Sequence, residues 1–272
     1  MRGSLGEKIG EGATADIHAW APGQVVKLFK AGVARPGVEH ETRMTRAVFA
    51  AGAPAPEVLD EVTLEGRFGI VLTRFDGPTL LQLLLSGAMT FEQAGAILAA
   101  LYISVHKTPP PPDVPSLRDW FDAVSRHSGG MLPKHIATGV LTLIERLPPG
   151  DGLCHNDLHP GNVIMTVGGP RIIDWLATVR AGAALDLGRC HVTTTELVYE
   201  PEGTDPERPR ALNAAVQSEY ARLAGMSPAA LTAAMEPYLP ILRAIKLADR
   251  ATHPDRRERL IQSVEATLRA ED

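Results

Sequence analysis

The chain has 272 residues, 44% hydrophobic and 22% charged, a balance that supports a folded core and excludes disorder as the resting state. Its 27 basic and 32 acidic residues give a formal charge of −5, so the basic excess that a nucleic-acid binder uses against phosphates is missing. Two cysteines, Cys154 and Cys190, cannot build a disulfide framework or a Cys-based zinc site, and they fit a reducing, cytoplasmic setting.

At about 100–200 residues per domain the length suits one large domain or two lobes. Residues 1–8 lack the apolar segment of a secretory signal, and Arg2 breaks the myristoylation pattern. The longest charge-free stretch, 77–91, is too short and too interrupted (Pro78, Gln82, Ser86, Gly87) to span a membrane. Neither a membrane nor a nucleic acid is expected as a partner, and the oligomeric state is left open.

Residues 16–20 and 25–29 read as strands, joined at Ala21-Pro22-Gly23-Gln24 into an antiparallel hairpin. Residues 38–51 have helical spacing (Met44, Val48, Ala51) and end at Gly52 and Pro54. Strand-like runs follow at 57–63 and 69–75, with a turn at 64–67. After Asp76-Gly77-Pro78 the pattern turns mostly helical. Thr90 caps a helix reaching about His106, and Pro109 to Pro112 form an extended connector. Further helices are expected near 117–127, 135–147, 185–199, 209–224, 228–249 and 255–269. Strands with one helix, then a helical mass, is the order of an α+β protein in two lobes, 1–76 and 77–272.

The chemistry concentrates in His155-Asn156-Asp157-Leu158-His159-Pro160-Gly161-Asn162, an H-x-D-x-x-x-x-N spacing bounded by apolar residues. Downstream, Arg171-Ile172-Ile173-Asp174 is a β-rich run that places a carboxylate at a strand end, after a hairpin turn at 167–170. Phosphoryl transfer needs the nucleophile, phosphates and metal held in line and the charge neutralised. Asp157 can orient or deprotonate a substrate hydroxyl, and Asn162 and Asp174 offer the hard oxygens that suit Mg²⁺. Lys27, inside an apolar strand, is costly unless paired, and Glu41 on the next helix is the natural partner. Together they can clamp nucleotide phosphates. Gly10 and Gly12 lie in a small-residue loop whose backbone can approach those phosphates. Strand residues follow that loop, so it is not a Rossmann turn.

With these residues the chain resembles the protein-kinase-like superfamily, nearest its aminoglycoside phosphotransferase and choline kinase group. The resemblance covers about residues 5–200. It implies a bilobal protein-kinase-like fold, with a small antiparallel-sheet N-lobe holding one helix and a larger, mostly helical C-lobe. It also implies ATP, Mg²⁺ and transfer of the γ-phosphoryl group to a hydroxyl of a small-molecule acceptor. Val71 to Gly77 looks like the group's hinge, so adenine would meet backbone around Thr73 and Phe75, with Leu72 at the gate. An Asp at position 186 braces the catalytic loop in that group. Asn156 replaces the Arg of protein kinases, and the stretch from Asp174 to Asp186 is short for a peptide-docking segment, which favours a small acceptor.

Plainer alternatives stand beside these. Lys27 and Glu41 could form a surface ion pair, and the glycine loop an ordinary hairpin. His155 and His159 are spaced like helical metal ligands, but Pro160 and Gly161 argue against a helix. Glu196, Glu200, Glu202, Asp205 and Glu207 form either a solvated acidic stretch or a wall that attracts a cationic acceptor such as an aminoglycoside or choline. An atypical small protein kinase and a nucleotide-binding regulatory module without turnover are the functional alternatives.

Overall fold

A computed structural model describes residues 5–148, 150–196, 207–249 and 252–271. Strands β1 (Lys8–Glu11), β2 (Ala15–Ala19) and β3 (Gln24–Phe29) form an antiparallel meander, followed by helix α1 (Arg35–Ala50). Strands β4 (Val58–Leu64) and β5 (Arg67–Thr73) complete a five-stranded antiparallel sheet in the order β1-β2-β3-β5-β4. Glu65 and Gly66 both have positive φ (50° and 76°), the geometry of a tight hairpin turn between β4 and β5.

The central strand β3 is buried on both faces by Val25, Val26, Leu28 and Phe29. Phe29 and Ile70 of the sheet pack with Val38 of α1 to make the small core of this part. Register aligns Gly10, Ile17, Lys27 and Ile70 across four strands, and directly paired residues share a face. Lys27 therefore points to the α1 side of the sheet.

Helix α1 begins at Arg35 rather than Val38. Pro36 falls in the first turn, where proline is favoured because its missing N–H has no partner there anyway. β1 was not expected: the small residues from Gly10 read as loop, yet cross-strand pairing recruits Gly10 and Glu11 into the sheet. β5 ends at Thr73, short of the expected residue 75.

The remainder is mainly helical: α2 (Leu80–Leu85), α3 (Phe91–Lys107), α4 (Leu117–His127), α5 (Lys134–Glu145), α6 (Ala184–His191), α7 (Glu207–Ala224), α8 (Pro228–Met235), α9 (Leu239–Ala248) and α10 (Pro254–Glu271). Between α5 and α6 lie two small antiparallel pairs, β6 (Gly152–Cys154) with β9 (Val179–Ala181), and β7 (Val163–Thr166) with β8 (Gly169–Ile172). Thr79 with Gln82, and Thr90 with Gln93, form reciprocal capping boxes at the starts of α2 and α3, each cap worth about 1 kcal/mol.

One core gathers Leu98, Tyr102, Leu153, Ile172, Trp175 and Val216, with Leu158 of the 155–162 loop. A second joins Phe121, Ile136, Val140, Ile241 and Val264 from α4, α5, α9 and α10. Each fully buried large side chain contributes roughly 1.5–3 kcal/mol relative to exposure. Gly95 lets α3 and α7 approach closely, since a Cβ there would stand 2.5 Å from that of Ala215.

Gly77 joins the two parts. Its φ is 150°, and a Cβ would fall 1.9 Å from the Met165 carbonyl oxygen, so no side chain fits. The adjacent Pro78 carbonyl accepts from Met165 N–H at 2.9 Å, which ties the linker to β7.

The single helix expected over 228–249 is broken into α8, a short 3₁₀ turn (Glu236–Tyr238) and α9. Pro237 and Pro240 lack the N–H that a continuous helix needs. The helix expected over 185–199 ends at His191 and loosens into a π-helical turn, Val192–Glu196; residues 197–199 lie outside the described residues. Among the described residues no helix is long and apolar enough to cross a membrane.

Candidate active site

The loop from His155 to Asn162 runs between β6 and β7, and Asp174 follows β8. Val163 pairs with Ile172 across the β7–β8 hairpin, and one step further Ile173 N–H donates to the Asn162 carbonyl at 2.9 Å. That backbone bond places Asn162 beside the Ile173-Asp174 segment. Asp174 itself is left-handed, with φ 63° and ψ 66°, a conformation that Asp tolerates better than bulkier residues.

Lys27 reaches this point from the sheet. Its Nζ pairs with Glu41 Oε1 of α1 and lies 3.3 Å from Asp174 Oδ1. Only 12% of the Lys27 side chain is exposed, so the surface ion-pair alternative fails. Burial works against the Lys27 ammonium, but the Glu41 and Asp174 carboxylates outweigh it and hold its pKa above the ordinary value. The same burial pushes the Glu41 carboxyl up.

Asp157 carries a partly exposed carboxylate whose Oδ1 accepts from Arg189 Nη2 at 3.3 Å. Burial raises its pKa, but Arg189, His159 and Lys246 together overcome that and hold it below the ordinary 3.8. The group is therefore ionised at neutral pH. Asn162 Nδ2 donates to the Asp157 carbonyl at 3.0 Å, which leaves the Asn162 amide oxygen as the available acceptor. An amide oxygen and a carboxylate, joined through one backbone hydrogen bond, are the donor set that Mg²⁺ takes when nucleotide phosphates and waters fill the rest of its shell.

The loop is held from behind. Asp186, 1% exposed, accepts from the backbone N–H groups of His155 (3.0 Å) and Asn156 (2.6 Å). His106 Nε2 lies 3.1 Å from the same carboxylate, and Tyr220 Oη lies 2.9 Å from His106 Nδ1. Tyr102 Oη donates to the Leu158 carbonyl at 2.7 Å. His155 is fully buried against Trp175, with Nδ1 accepting from Asp157 N–H and Nε2 beside the Ile173 carbonyl. Burial lowers its pKa, and with both ring nitrogens engaged by backbone groups it braces the loop. Asn156 has φ 60°, and its Nδ2 donates to the Ala177 carbonyl.

Gly10 lies in β1 and Gly12 in the turn that follows, where Gly12 N–H donates to the Ala15 carbonyl at 2.8 Å. Neither has positive φ, and a Cβ at either would meet only ordinary contacts. The fold does not itself demand glycine there, and Gly10 occupies the same face of the sheet as Lys27. Thr73 ends β5 with its N–H given to the Glu57 carbonyl, so that N–H is not free for a ligand. Phe75 follows in the linker, its ring 5.9 Å from the Arg171 guanidinium.

Sequence reasoning missed Arg189, Lys246, His106 and Tyr102. Arg189 stands one helical turn after Asp186, a spacing that places both on one face of α6, and this was a usable signal. Lys246 and Tyr102 carried none. His106, Cys154 and Asp186 have potential ligand atoms within 4.8 Å of one another. The Asp186 oxygens are already committed to backbone, and burial pushes the Cys154 thiol well up, so this cluster is a hydrogen-bonded brace. Cys190 is likewise inert, its thiol raised to about 12 by burial. Of the acidic stretch, Glu196 is paired in a two-bond fork with Arg243 (2.7 and 2.8 Å) and Glu207 with Arg210, while Glu200, Glu202 and Asp205 lie outside the described residues.

Burial lowers the pKa of His40, His155, His159 and His191 below the ordinary 6.5. The unfolded chain therefore binds protons first as pH falls through 6.5, and stability present above that pH is progressively lost. A melting temperature that drops on going from about pH 7.5 to about pH 5.5 is expected, and a flat or rising profile in differential scanning calorimetry would contradict it.

A family model described as "Phosphotransferase enzyme family" matches residues 7–226. No curated relative matches the sequence. The fold is similar to that of a thermostable mutant of aminoglycoside phosphotransferase APH(4)-Ia, at 18% identity and TM-score 0.60, over 99% of this chain and 95% of that one. Aminoglycoside phosphotransferase APH(3'')-Id from Streptomyces rimosus aligns at 18% identity and TM-score 0.61, over 89% and 92%. A Plasmodium vivax ethanolamine kinase aligns at 12% identity and TM-score 0.61, over 99% and 84%.

Proposed function

The chain belongs to the phosphotransferase enzyme family, and from that premise we propose that it moves the γ-phosphoryl group of ATP, with Mg²⁺, to a hydroxyl of a small molecule. The observations that support the reading are the Ile173–Asn162 backbone bond, which joins the segment of Asn162 to that of Asp174, and the 3.3 Å approach of Lys27 Nζ to Asp174. The proposal includes a nucleotide-side lobe of residues 1–76, an acceptor-side lobe of 77–272, and a cytoplasmic setting.

Lys27, oriented by Glu41, binds the α- and β-phosphates, and the glycine hairpin lies over them. Asn162 and Asp174 hold Mg²⁺, which when bound neutralises charge on the phosphates. Asp157 accepts the hydrogen bond of the acceptor hydroxyl and turns its oxygen toward the γ-phosphorus. The acceptor oxygen forms a bond to that phosphorus while the bond to the bridging oxygen of the β-phosphate breaks. ADP leaves, and the hydroxyl proton passes to Asp157 and then to solvent.

The stretch between Asp174 and α6 is filled by a 3₁₀ turn and β9, which supports a small acceptor over a docked peptide. The Streptomyces rimosus enzyme has been solved with ADP and streptomycin, which speaks for nucleotide use here as well. An aminoglycoside- or choline-like acceptor would call for free negative charge near Asp157, and Glu196 is already taken by Arg243.

The test is ADP release over a broad panel of hydroxylated compounds, with mass spectrometry for the phosphorylated product. Asp174→Ala is expected to weaken Mg–ATP binding by about tenfold or more in calorimetric titration, because a charged ligand is lost. Unchanged Mg–ATP affinity would remove Asp174 from the metal site.

A further inference from the structure

Among the described residues, two cations from α6 and α9 act on the Asp157 carboxylate. Arg189 on α6 turns its guanidinium to the catalytic loop, with Nη2 3.3 Å from Asp157 Oδ1. Its Nε and Nη1 are buried and meet no acceptor among the described residues. Guanidinium groups taken out of water normally end in a two-bond fork to a carboxylate or phosphate. Arg189 has instead one long contact, to a carboxylate that is 41% exposed. Arg243 shows the contrast, gripping both oxygens of Glu196.

Lys246, on the last turn of α9, is the second cation. Burial and the Arg189 charge hold its ammonium below the ordinary value, while Asp157 and the exposed Asp249 pull the other way. These two cations come from α6 and α9, whereas the groups assigned to the nucleotide come from β3, α1 and the end of β8. Both cations therefore act on Asp157 from helices that carry none of the nucleotide groups, and the proposed mechanism sets the acceptor hydroxyl at Asp157. An amine-bearing acceptor would meet repulsion there, and an anionic one would complete the unfilled Arg189 fork.

We infer that the acceptor carries an anionic group, phosphate or carboxylate, near the hydroxyl that is phosphorylated, and that Arg189 and Lys246 hold this group. The inference rests on the phosphotransferase reading. Arg189 is a substrate-binding residue in this assignment, and its single bond leaves the second oxygen of Asp157 available for the hydroxyl.

The test uses the full chain and a matched hexose series: glucosamine, glucose, glucose 6-phosphate and gluconate. ADP release with Mg–ATP is one readout, and the melting-temperature shift that each compound gives in the presence of Mg–ADP is the other. At least one anionic member is expected to exceed glucose and glucosamine by about tenfold in kcat/KM, or to give the largest shift. Lys246→Met should cut that advantage to about threefold or less through the acceptor KM, with the KM for ATP moving less than about twofold. Success of glucose 6-phosphate alone assigns a phosphate, and of gluconate alone a carboxylate. Preference for glucosamine, no difference across the series, or an anion preference that survives both Lys246→Met and Arg189→Gln overturns the inference. Anion-dependent shifts without ADP release keep the charge assignment and sink the phosphotransferase reading; ADP release that favours glucosamine does the reverse.

Discussion

Asp157→Asn is expected to lower kcat by about 10³-fold while Mg–ATP binds as in the parent protein. The substitution keeps size and shape, so the neighbouring Asn162 Nδ2 bond to the Asp157 backbone carbonyl survives. What disappears is the anionic oxygen that, in the proposed mechanism, orients the acceptor hydroxyl and takes its proton. Lys27, Glu41 and Asp174 are untouched, so the nucleotide side is preserved. Single-turnover kinetics together with calorimetric ATP binding separates the two effects. Turnover within about tenfold of the parent would contradict the role assigned to Asp157. The parent's pH profile adds a second check. Arg189, His159 and Lys246 hold the Asp157 carboxyl below 3.8 against burial, so the acid limb due to this group falls below the ordinary carboxylate range.

Asp186→Ala is expected to cost about 3–5 kcal/mol of stability, because it removes one partner from a buried charged network. Three donors lose their acceptor at once: His155 N–H, Asn156 N–H and His106 Nε2. Each buried N–H left without a partner costs about 1–3 kcal/mol. The left-handed backbone at Asn156 then loses what holds it, and the loop carrying Asp157 relaxes. Urea denaturation should show a lower midpoint, and the protein that stays folded should turn over more slowly. A stability change below about 1 kcal/mol would show that the loop is held by something else. The other ties, Tyr102 to the Leu158 carbonyl, Asn156 Nδ2 to the Ala177 carbonyl and His155 Nε2 at the Ile173 carbonyl, leave the two backbone N–H groups of His155 and Asn156 without an acceptor.

Much of the site was legible because its parts are local. The hairpin that brings Asn162 to Asp174 is two short strands and a turn, and its register follows from the turn position. The pairing of Lys27 with Glu41 followed from the cost of a lone charge in an apolar strand, and α1 supplies the partner. The expected cap at Thr90 is present as a capping box. Local rules also misled. Apolar spacing starts α1 only at Val38, and it runs straight through Pro237 and Pro240 where the helix breaks.

By itself the sequence determined the α+β order of elements and marked the candidate segment 155–162 with Asp174, because these depend on spacings of a few residues that the periods of helix and strand convert directly into geometry. Only the tertiary structure decided that Asp186 and His106 brace the loop, that Arg243 neutralises Glu196, and that Arg189 donates to Asp157. Those contacts join helices separated by long stretches of chain. Their pairing is set by how the two cores pack, and residue spacing does not record it.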